Sequence, residues 1–592
     1  MKRVLAAAAI AASVVYACAS DPAVRPEPTL TVDDLLRAPF SQKGAEIVSP
    51  DAILAALPPD VSLRYGDAVI SNELGAVVFD DIVLTVEGLP GVEFTADQIT
   101  LWGPDPEAIA GLWGARKDRP LRKLFERMVI NNLQSVGLQN AAGAQSYRVS
   151  VDRLAVAGLD GRASSPQPVY GESAAISVLR RAADLAGAYR FEGAAYSGFK
   201  FEMLDNAGNG ATLNVGEAFS RGYDQGRIAY QQASAIVSRT QAAPGAAAPI
   251  YVSDANENLH GGEEQPRSSQ SFDKILQPQM REAFDRALKN PVAAIAQAAG
   301  QTSSAVSMDV VEMRDADFSG ALSWLARWET PPISETNLLD LGSMVILNET
   351  QQVNGVTLLT RERSEISAGD FYWLVPSQLS FAETGVQINI GAFLDISSAA
   401  VPEAEMAQAR AALEALGLDA VRYDSENRWR WNGKTGDADY SMSVDAADLA
   451  SFDVFTAGGG PSLTRWNAIA DGAASPSAIS EEVLLKSLTA TLRNSGALEK
   501  AFAFAETQTA ASAEDLRQSV PALMQLYFSQ FAQSSPRLFG FAGPLSAFLS
   551  EGGTLQLKAS PDKPVSLKAL EEMGRDPYAA AELLDLSLEH QR

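Results

Sequence analysis

The sequence is poor in the two side chains that most often bind metals or form covalent cross-links. Cys18 is its single cysteine, and His260 and His590 are its only histidines among 592 residues. A chain with one cysteine forms no internal disulfide, so packing alone must stabilise it. Two histidines also exclude a multi-histidine metal site and disfavour histidine-based acid–base catalysis. We therefore expect neither a bound metal nor a cofactor.

Positive charge is also scarce. The chain has 47 Lys and Arg residues against 73 Asp and Glu residues, which gives a formal net charge of -26. A field of this sign repels phosphate backbones and anionic lipid headgroups, so the composition argues against nucleic acid as a partner. Hydrophobic residues make up 46% of the chain, which is ordinary for a folded protein. The acidity by itself indicates only solubility.

Long apolar runs are absent beyond the N-terminus. Lys2 and Arg3 precede an alanine-rich apolar run from Val4 to Val15. That run is too short to span a bilayer, and with the basic residues before it, it is typical of a signal peptide. We therefore expect the mature chain to leave the cytoplasm.

The residues around the cysteine leave two interpretations open. The sequence Ala17-Cys18-Ala19 fits ordinary signal cleavage before Ser20, which would leave a protein without cysteine. The sequence Val15-Tyr16-Ala17-Cys18 instead resembles a bacterial lipobox, in which Cys18 is lipidated and becomes the mature N-terminus. Tyr16 departs from the small residue usual in that motif. Because the only cysteine lies at this position, we favour a lipoprotein in the periplasm, anchored to the outer membrane through Cys18.

Composition divides the rest of the chain. Prolines lie among polar residues from Ser20 to Pro39, as in an extended tether. Residues from Thr240 to Ser271 are rich in Ala, Pro, Gly, Ser, Asn and Gln, as in a linker or a long exposed loop. The expected order is a signal peptide (1–18), a tether (19–45), an N-terminal α+β domain (46–239), a linker or exposed loop (240–271) and a C-terminal α+β domain (272–592).

The clearest structural pattern lies between Val421 and Phe455. Trp429 and Trp431 alternate with arginines before a glycine-rich turn at 432–436, and apolar residues alternate with Asp and Ser after it. Alternation on both sides of such a turn predicts a β-hairpin with one buried face and one wet face. The two tryptophans are the candidate ligand contacts of the chain, although aromatic residues at this spacing are more often core anchors.

Similar patterns predict the fold class. Short alternating segments from Val61 to Trp102 indicate an antiparallel meander, and glycines within later strands, such as Gly198, indicate bulges and a curved sheet. Helical spacing predicts helices over Pro106–Asn140, Glu403–Leu416 and a C-terminal cluster from Ala497 to Ser550. We expect an α+β protein with large curved antiparallel sheets and packed amphipathic helices.

Three short matches raise the question of serine catalysis. Ser271-Phe272-Asp273-Lys274 matches the S-x-x-K of penicillin-binding proteins and β-lactamases, Ser425-Glu426-Asn427 matches S-x-N, and Lys434-Thr435-Gly436 matches K-T-G. Only a few residues separate the second match from the third, where that chemistry needs a domain's worth of chain, and the third lies in a predicted turn. A serine hydrolase of the envelope is therefore an alternative, and no catalytic residue is assigned.

A second motif concerns calcium. Asp254, Asn256 and Asn258 resemble the opening of an EF-hand loop, but Leu259 replaces the turn glycine and Gln265 replaces the final glutamate. A polar loop accounts better for this segment than a calcium site, so no metal ligand is assigned.

The C-terminal third resembles a loose group of uncharacterised Gram-negative envelope proteins. The resemblance lies in Arg428-Trp429-Arg430-Trp431, Ser487–Arg493 (SLTATLR), the helical cluster and Gly553–Pro561 (GTLQLKASP). The strand-rich opening from Val61 to Trp102 is also similar in texture to AsmA-like periplasmic proteins. That similarity implies long curved sheets and, in some members, a role in moving or sensing lipids. It transfers no site residues.

These observations predict a non-enzymatic cell-envelope protein that binds or scaffolds, with a lipid or another apolar ligand held in the groove of a sheet. Two alternatives remain open. One is the serine-type hydrolase at Ser271 and Lys274, and the other is an assembly component that binds another envelope protein through exposed strand edges.

Lipidation of Cys18 is directly measurable. Mass spectrometry of the protein purified from the membranes of a Gram-negative host is expected to find an acylated Cys18 as the first residue, and Cys18→Ser is expected to move the protein into the soluble fraction. A mature chain that begins at Ser20 and carries no acyl group would show that ordinary cleavage is the correct interpretation.

Overall fold

The computed structural model describes most of the chain, with gaps. The described residues are 33–34, 47–57, 61–86, 93–112, 120–136, 138–139, 145–163, 180, 183–205, 209–241, 303–329, 331, 335–336, 338–372, 375–397, 403–470, 473, 479–509, 511–530, 535–573 and 577–592. Cys18, the calcium-like loop and the Ser271–Lys274 match lie outside them, as do the predicted signal peptide and most of the tether.

The chain contacts define two compact units. Unit 1 comprises Met1–Pro331 and Leu338–Gly355, and unit 2 comprises Pro332–Asn337 and Val356–Arg592. This division falls later in the chain than the composition break at 240–271. The strands on either side of that break pair with each other from Arg227↔Asp317 to Gln241↔Ser303. The segment therefore joins two neighbouring strands of one sheet in unit 1.

Unit 1 is an antiparallel meander in which nearly every strand pairs with the next one along the chain. Its helices include α1 (Pro50–Leu54), α2 (Pro106–Gly111) and α3 (Ser319–Arg327). Its strands are β1 (Val61–Arg64), β2 (Asp67–Ser71), β3 (Ala76–Val86), β4 (Glu93–Trp102), β5 (Arg122–Val136), β6 (Leu138–Gln139), β7 (Gln145–Gly161), β8 (Tyr189–Asp205), β9 (Gly210–Asp224), β10 (Arg227–Gln241), β11 (Ser303–Asp317) and β12 (Gly342–Val353).

An apolar ladder runs across unit 1 at one level of the sheet. Successive strand pairings place its members opposite one another, and most of their side chains are buried. Burying such a row on neighbouring strands removes apolar surface from water and fixes the register of the pairing. The ladder consists of Ile82, Ala96, Leu133, Val151, Phe199, Val215, Ile236 and Met308.

Beside this ladder lies a line of residues at which every second strand leaves the extended conformation. The backbone of these residues has φ between 50° and 64°, in the left-handed region, and they are Asp81, Asn132, Gly198, Ala235 and Asn348. The residue opposite each one on the next strand is extended. Where a carboxylate is opposite, it closes over the kink: Asn132 Nδ2 donates to Asp97 Oδ2 at 2.7 Å, and Asp152 lies against Gly198. We call this row the first kink line.

A second kink line crosses the other strands. Gly158, Gly222 and Asp315 have φ of 62°, 68° and 53°, and the residues opposite them include Glu192, whose side chain folds over Gly158. Only Gly adopts this conformation freely, and Asn and Asp tolerate it better than other residues. The two lines therefore explain why Gly, Asn and Asp recur inside otherwise regular strands of unit 1.

The predicted helix over Pro106–Asn140 is wrong for most of its length. The helix ends at Gly111, and Arg122–Val136 is strand β5, paired with β4 and β7. The pairing register shifts between Lys123 and Phe125, and this irregularity lets Leu124 and Phe125 both enter one apolar cluster. Two adjacent buried residues are also typical of a helix face. For this reason the spacing of the apolar residues predicted a helix here.

Unit 2 is a second antiparallel meander, with its helices placed between strands. The strands are β13 (Val356–Tyr372), β14 (Val375–Asn389), β15 (Ala420–Trp431), β16 (Asp437–Ala446), β17 (Ala450–Gly459), β18 (Leu484–Asn494), β19 (Thr554–Ala559), β20 (Val565–Ser566) and β21 (Leu586–Gln591). The helices are α4 (Ile390–Ser397), α5 (Glu403–Leu416), α6 (Leu463–Ala470), α7 (Ile479–Glu482), α8 (Ala497–Gln508), α9 (Ala513–Ser529), α10 (Pro536–Gly540), α11 (Ala542–Glu551), α12 (Leu567–Met573) and α13 (Pro577–Leu583).

Several predictions for unit 2 are confirmed. Val421–Phe455 forms a hairpin and a third strand, Glu403–Leu416 is helix α5, and the C-terminal cluster is helices α8 to α11. Helix α9 begins with a capping box, in which Ser512 and Asp515 each bond the other's backbone N–H. The coarse fold class is therefore confirmed, as one large antiparallel sheet accompanied by helices.

The first kink line provides a stability prediction. Gly198 has φ of 64°, and a Cβ there would lie 2.0 Å from Asp152 Oδ2. Gly198→Ala is therefore expected to lower the free energy of unfolding by about 1–3 kcal/mol. Thermal unfolding followed by circular dichroism measures the change.

The matched control is Gly111→Ala at the end of helix α2, where nothing lies within 4 Å of the added carbon. It is expected to leave the unfolding temperature nearly unchanged. Equal effects of the two substitutions would contradict a conformational requirement at Gly198.

Candidate functional site

The two tryptophans singled out by the sequence lie on β15 but have different environments. The side chains of this strand alternate between exposed and partly buried along its length. Trp431 is only 7% exposed, and its ring meets that of Tyr372 edge-on at a centroid distance of 5.4 Å. The Tyr372 ring also lies against Gly433, where a Cβ would come within 2.9 Å of it. Trp431 is therefore a core anchor at the end of the hairpin.

Trp429 is partly exposed on the same face. Its cross-strand neighbours are Leu379 on β14 and Tyr440 on β16. Tyr440 donates a hydrogen bond from its hydroxyl to Asn427 Oδ1 at 3.0 Å, which satisfies the amide oxygen on this otherwise apolar face. Of the two candidate ligand contacts, only Trp429 presents substantial surface.

The K-T-G match is a polar turn. Asn432 Oδ1 accepts hydrogen bonds from the backbone N–H groups of Lys434 and Thr435, and Thr435 Oγ1 donates to Asp437 at 2.7 Å. Gly436 has φ of 81°, and a Cβ there would lie 2.1 Å from the carbonyl oxygen of Gly460. The turn thus demands these residue types for structural reasons.

The serine-catalysis matches do not meet in the described part of unit 2. Ser425 lies on β15 and donates to Glu383 Oε2 at 3.1 Å, whereas Lys434 lies beyond the end of that strand. At the rise of a β-strand, Ser425 and Trp431 alone are about 20 Å apart. The structure therefore agrees with the expectation that Lys434-Thr435-Gly436 is a turn and not a catalytic strand. The Ser271 and Lys274 alternative lies outside the described residues and stays a prediction.

The register of β14 to β19 places most apolar side chains of these strands on one face, in three adjoining rows. We call this face the apolar platform. Its first row is Leu379, Trp429, Tyr440, Thr456 and Leu488; its second is Phe381, Asn427, Met442, Val454, Ala490 and Leu557; its third is Val444, Phe452, Leu492 and Leu555. None of these side chains is buried, and Leu379 and Phe452 are each 37% exposed.

Several helices contact the outer strands of the sheet in unit 2. The main helix contacts with the sheet of unit 2 fall on β13 and β15 from α4, and on β19, β20 and β21 from α7 and α10 to α13. Phe548 of α11 meets His590 of β21 edge-on at 6.5 Å, beyond the end of the third row. Within the described residues, the apolar side chains of the three rows on the middle strands β16 to β18 are partly exposed.

A polar cluster ends the platform on the side of β14. Arg361 and Glu383 form an ion pair at 2.6 Å, and Glu383 also accepts the hydrogen bond from Ser425. Glu383 is almost fully buried. Nearby, burial is the largest cause that raises the pKa of Tyr423, and the charge of Glu383 raises it further. A charged pair with these partners is stable in a poorly hydrated place, where a lone carboxylate would not be.

The opposite face of the same strands is polar. It presents Glu426, Arg428, Ser443, Asp453 and Thr491, and Ser443 donates to Asp453 Oδ1 at 2.7 Å. A shallow depression of about 320 Å³ lies among these side chains. Phe455 is the exposed aromatic residue of this face, three positions after Phe452 on the same strand. The two faces of the sheet therefore differ sharply in chemistry.

Sequence reasoning missed a second buried polar cluster, in unit 1. Glu312 accepts from Arg314 Nε at 2.5 Å and from the Tyr230 hydroxyl at 3.3 Å, and the Arg314 guanidinium lies 5.3 Å from the Tyr230 ring centroid. The alternating spacing of Glu312 and Arg314 on β11 was a visible signal, but the partner on β10 was not. The cluster stabilises the pairing of the two strands.

Comparison with known proteins gives little functional information. A family model described as an uncharacterized protein matches residues 443–591, roughly the last quarter of the chain. No curated protein matches. The matched region begins within β16 and ends in β21, so it includes part of the apolar platform and the helical cluster. The AsmA-like similarity of the opening strands has no support among these matches and stays a prediction.

Two further searches concern metals and membranes. The described residues contain no group of three or more His, Cys, Asp or Glu side chains arranged to hold a metal ion. In the same part of the chain, no helix has both the length and the apolar character needed to cross a bilayer.

The two tryptophans are expected to respond differently to truncation. Trp431→Ala should cost about 3–5 kcal/mol of unfolding free energy, because it empties a buried aromatic site. Trp429→Ala should cost clearly less, because its side chain is already partly exposed. Urea unfolding followed by circular dichroism compares the two variants, and a larger loss for Trp429→Ala would contradict these assignments.

Proposed function

We propose that unit 2 binds an elongated apolar ligand, a lipid acyl chain, on the apolar platform, and that the protein is a non-enzymatic component of the bacterial cell envelope. The observation that carries the proposal is the contrast between the strands of unit 1 and those of unit 2. The apolar ladder of unit 1 is mostly buried, whereas all three rows of the platform are at least partly exposed. An extensive exposed apolar surface marks a binding site more often than an accident of folding.

The size of the platform suits a lipid. Six adjacent strands, β14 to β19, span about 24 Å at the usual strand spacing. One leaflet of a bilayer is about 15 Å thick in its hydrocarbon part, so an extended acyl chain fits across these rows. The rows carry no charged side chain, and the amide of Asn427 is engaged by Tyr440. An apolar surface of this kind favours binding of a ligand whose contacting part has no polar groups.

The ends of the platform suggest how such a ligand would be oriented. The Glu383, Arg361 and Ser425 cluster lies at the β14 side of the third row. A ligand with one polar end would place that end beside this cluster and its apolar part over β16 to β18. The backbone of Gly385, at φ of 63°, breaks the pleat of β14 next to the cluster. We infer that such breaks curve the sheet toward the ligand.

Location completes the proposal. The signal-like N-terminus and the lipobox-like sequence at Cys18 support export and anchoring at the outer membrane, where lipids are the abundant apolar ligands. The alternative function is assembly: the protein would bind another envelope protein through an exposed strand edge.

Binding is tested with two phenylalanines of one strand. Phe452 lies on the platform, and Phe455 lies on the polar face. Phe452→Asp puts a carboxylate under the ligand, so it should weaken binding of a fluorescent fatty acid by about tenfold or more. Fluorescence titration of the purified full-length protein measures this, with native mass spectrometry to detect lipid that co-purifies.

Phe455→Asp is the matched control, because it makes the same chemical change at an exposed position of the same strand. It should change the dissociation constant by less than about twofold. Equal loss of binding in both variants, or no loss in either, would refute the platform as the site. Circular dichroism establishes that both variants keep the fold.

A further inference from the structure

A second apolar surface in unit 2 lies on its helices, away from the apolar platform. Leu523, Leu526 and Tyr527 of helix α9 are 63%, 70% and 57% exposed, and Phe539 of the adjoining helix α10 is 45% exposed. The first three follow the spacing of one helix face, and α9 and α10 are in contact. We call these four residues the helical tip.

The helical tip projects from a well-anchored base. The first half of α9 has its capping box, and Arg517 pairs with Glu499 at 3.0 Å while its guanidinium lies 5.7 Å from the Phe502 ring centroid. Pro521 is buried, and Ser546 of α11 donates to its carbonyl oxygen at 3.0 Å. The tip begins only beyond this proline. Because the first half of α9 is held by these contacts, the exposure of the tip residues does not result from fraying of the helix.

The charge pattern identifies what covers the tip. From Leu516 to Ser550 the sequence has no Asp or Glu, although the whole chain has a net charge of -26. The two arginines of this stretch are paired with acids outside it: Arg517 with Glu499, and Arg537 with Glu582 at 3.1 Å. The stretch therefore has no acidic side chain, and both of its arginines form ion pairs, although the protein as a whole is strongly acidic.

A lipid bilayer is the partner that requires such a surface. Its hydrocarbon region excludes charged side chains, while tyrosine and phenylalanine are favoured near the headgroups. A second copy of the chain fits less well. The tip exposes on the order of 500 Å², below the roughly 800 Å² per partner of a stable protein interface. We propose that the helical tip inserts into the surface of a lipid bilayer and so holds unit 2 against the membrane.

This inference goes beyond the binding of a ligand on the sheet, because it uses different residues and a different partner. It also adds a contact to the anchor expected at Cys18. A lipid tether restrains only the N-terminus of the chain, whereas the tip would set how unit 2 is oriented at the membrane.

The experiment places a fluorescent label at the tip of the full-length protein. Leu526→Cys and Phe539→Cys, each labelled with bimane, are mixed with phosphatidylethanolamine–phosphatidylglycerol vesicles with and without brominated acyl chains. Insertion brings the label close to bromine, so brominated vesicles should lower the fluorescence of both variants roughly twofold. Leu204→Cys is the control, because Leu204 is an exposed leucine of unit 1, at 53% exposure. Its fluorescence should not change.

Each other outcome is decisive. No quenching at either tip position, or equal quenching at Leu204→Cys, overturns the inference. A blue shift that appears without vesicles and grows with protein concentration assigns the tip to a second copy of the chain, which also overturns it. The wild-type protein treated with the same dye reports any labelling at Cys18. Repeating the titration of the fluorescent fatty acid on the labelled proteins separates a failed tip from a failed platform.

Discussion

Antiparallel register is the constraint on which the strands of both units depend. Each strand pairs mainly with its neighbour in sequence, so a slip of one residue would turn a whole strand and exchange its two faces. In unit 1 the buried ladder opposes such slips, and Asp152 lying over Gly198 marks the same level on the next strands. In unit 2 the tight turn at 432–436 and the buried Trp431 fix the central hairpin. The apolar platform exists only because these registers hold.

The two units use the same architecture with different consequences. Unit 1 buries its apolar ladder and closes its polar groups into networks such as that of Glu312, so its sheet has the properties of a core. Unit 2 leaves apolar side chains on its middle strands partly exposed. Exposed apolar surface costs free energy in water, and binding a ligand or a membrane would recover that cost.

Local patterns were predictable and nonlocal ones were not. The alternation around Trp429 and the helical spacing of Glu403–Leu416 depend on neighbouring residues, so the hairpin and helix α5 could be predicted from the sequence. The helix predicted over Pro106–Asn140 was wrong, because an irregular pairing at Lys123 places two consecutive residues inward. The sequence of each strand shows only alternating apolar residues. The rows of the platform could not be predicted, because they depend on the pairing of strands that are far apart in the chain. The left-handed conformations of the first kink line could not be predicted from the sequence either, because they depend on which residue lies opposite on the next strand.

The alternation of the kink lines has an evolutionary consequence. At one level of unit 1 the left-handed residue lies on every second strand, as at Asn132 and Gly198, and at the other level it lies on the strands between, as at Gly158 and Gly222. The structural period is thus two strands, which is one hairpin. Duplication or loss of a hairpin would preserve the pattern, whereas gain of a single strand would bring two kinked residues opposite each other. Such a sheet can change length among descendants in steps of one hairpin.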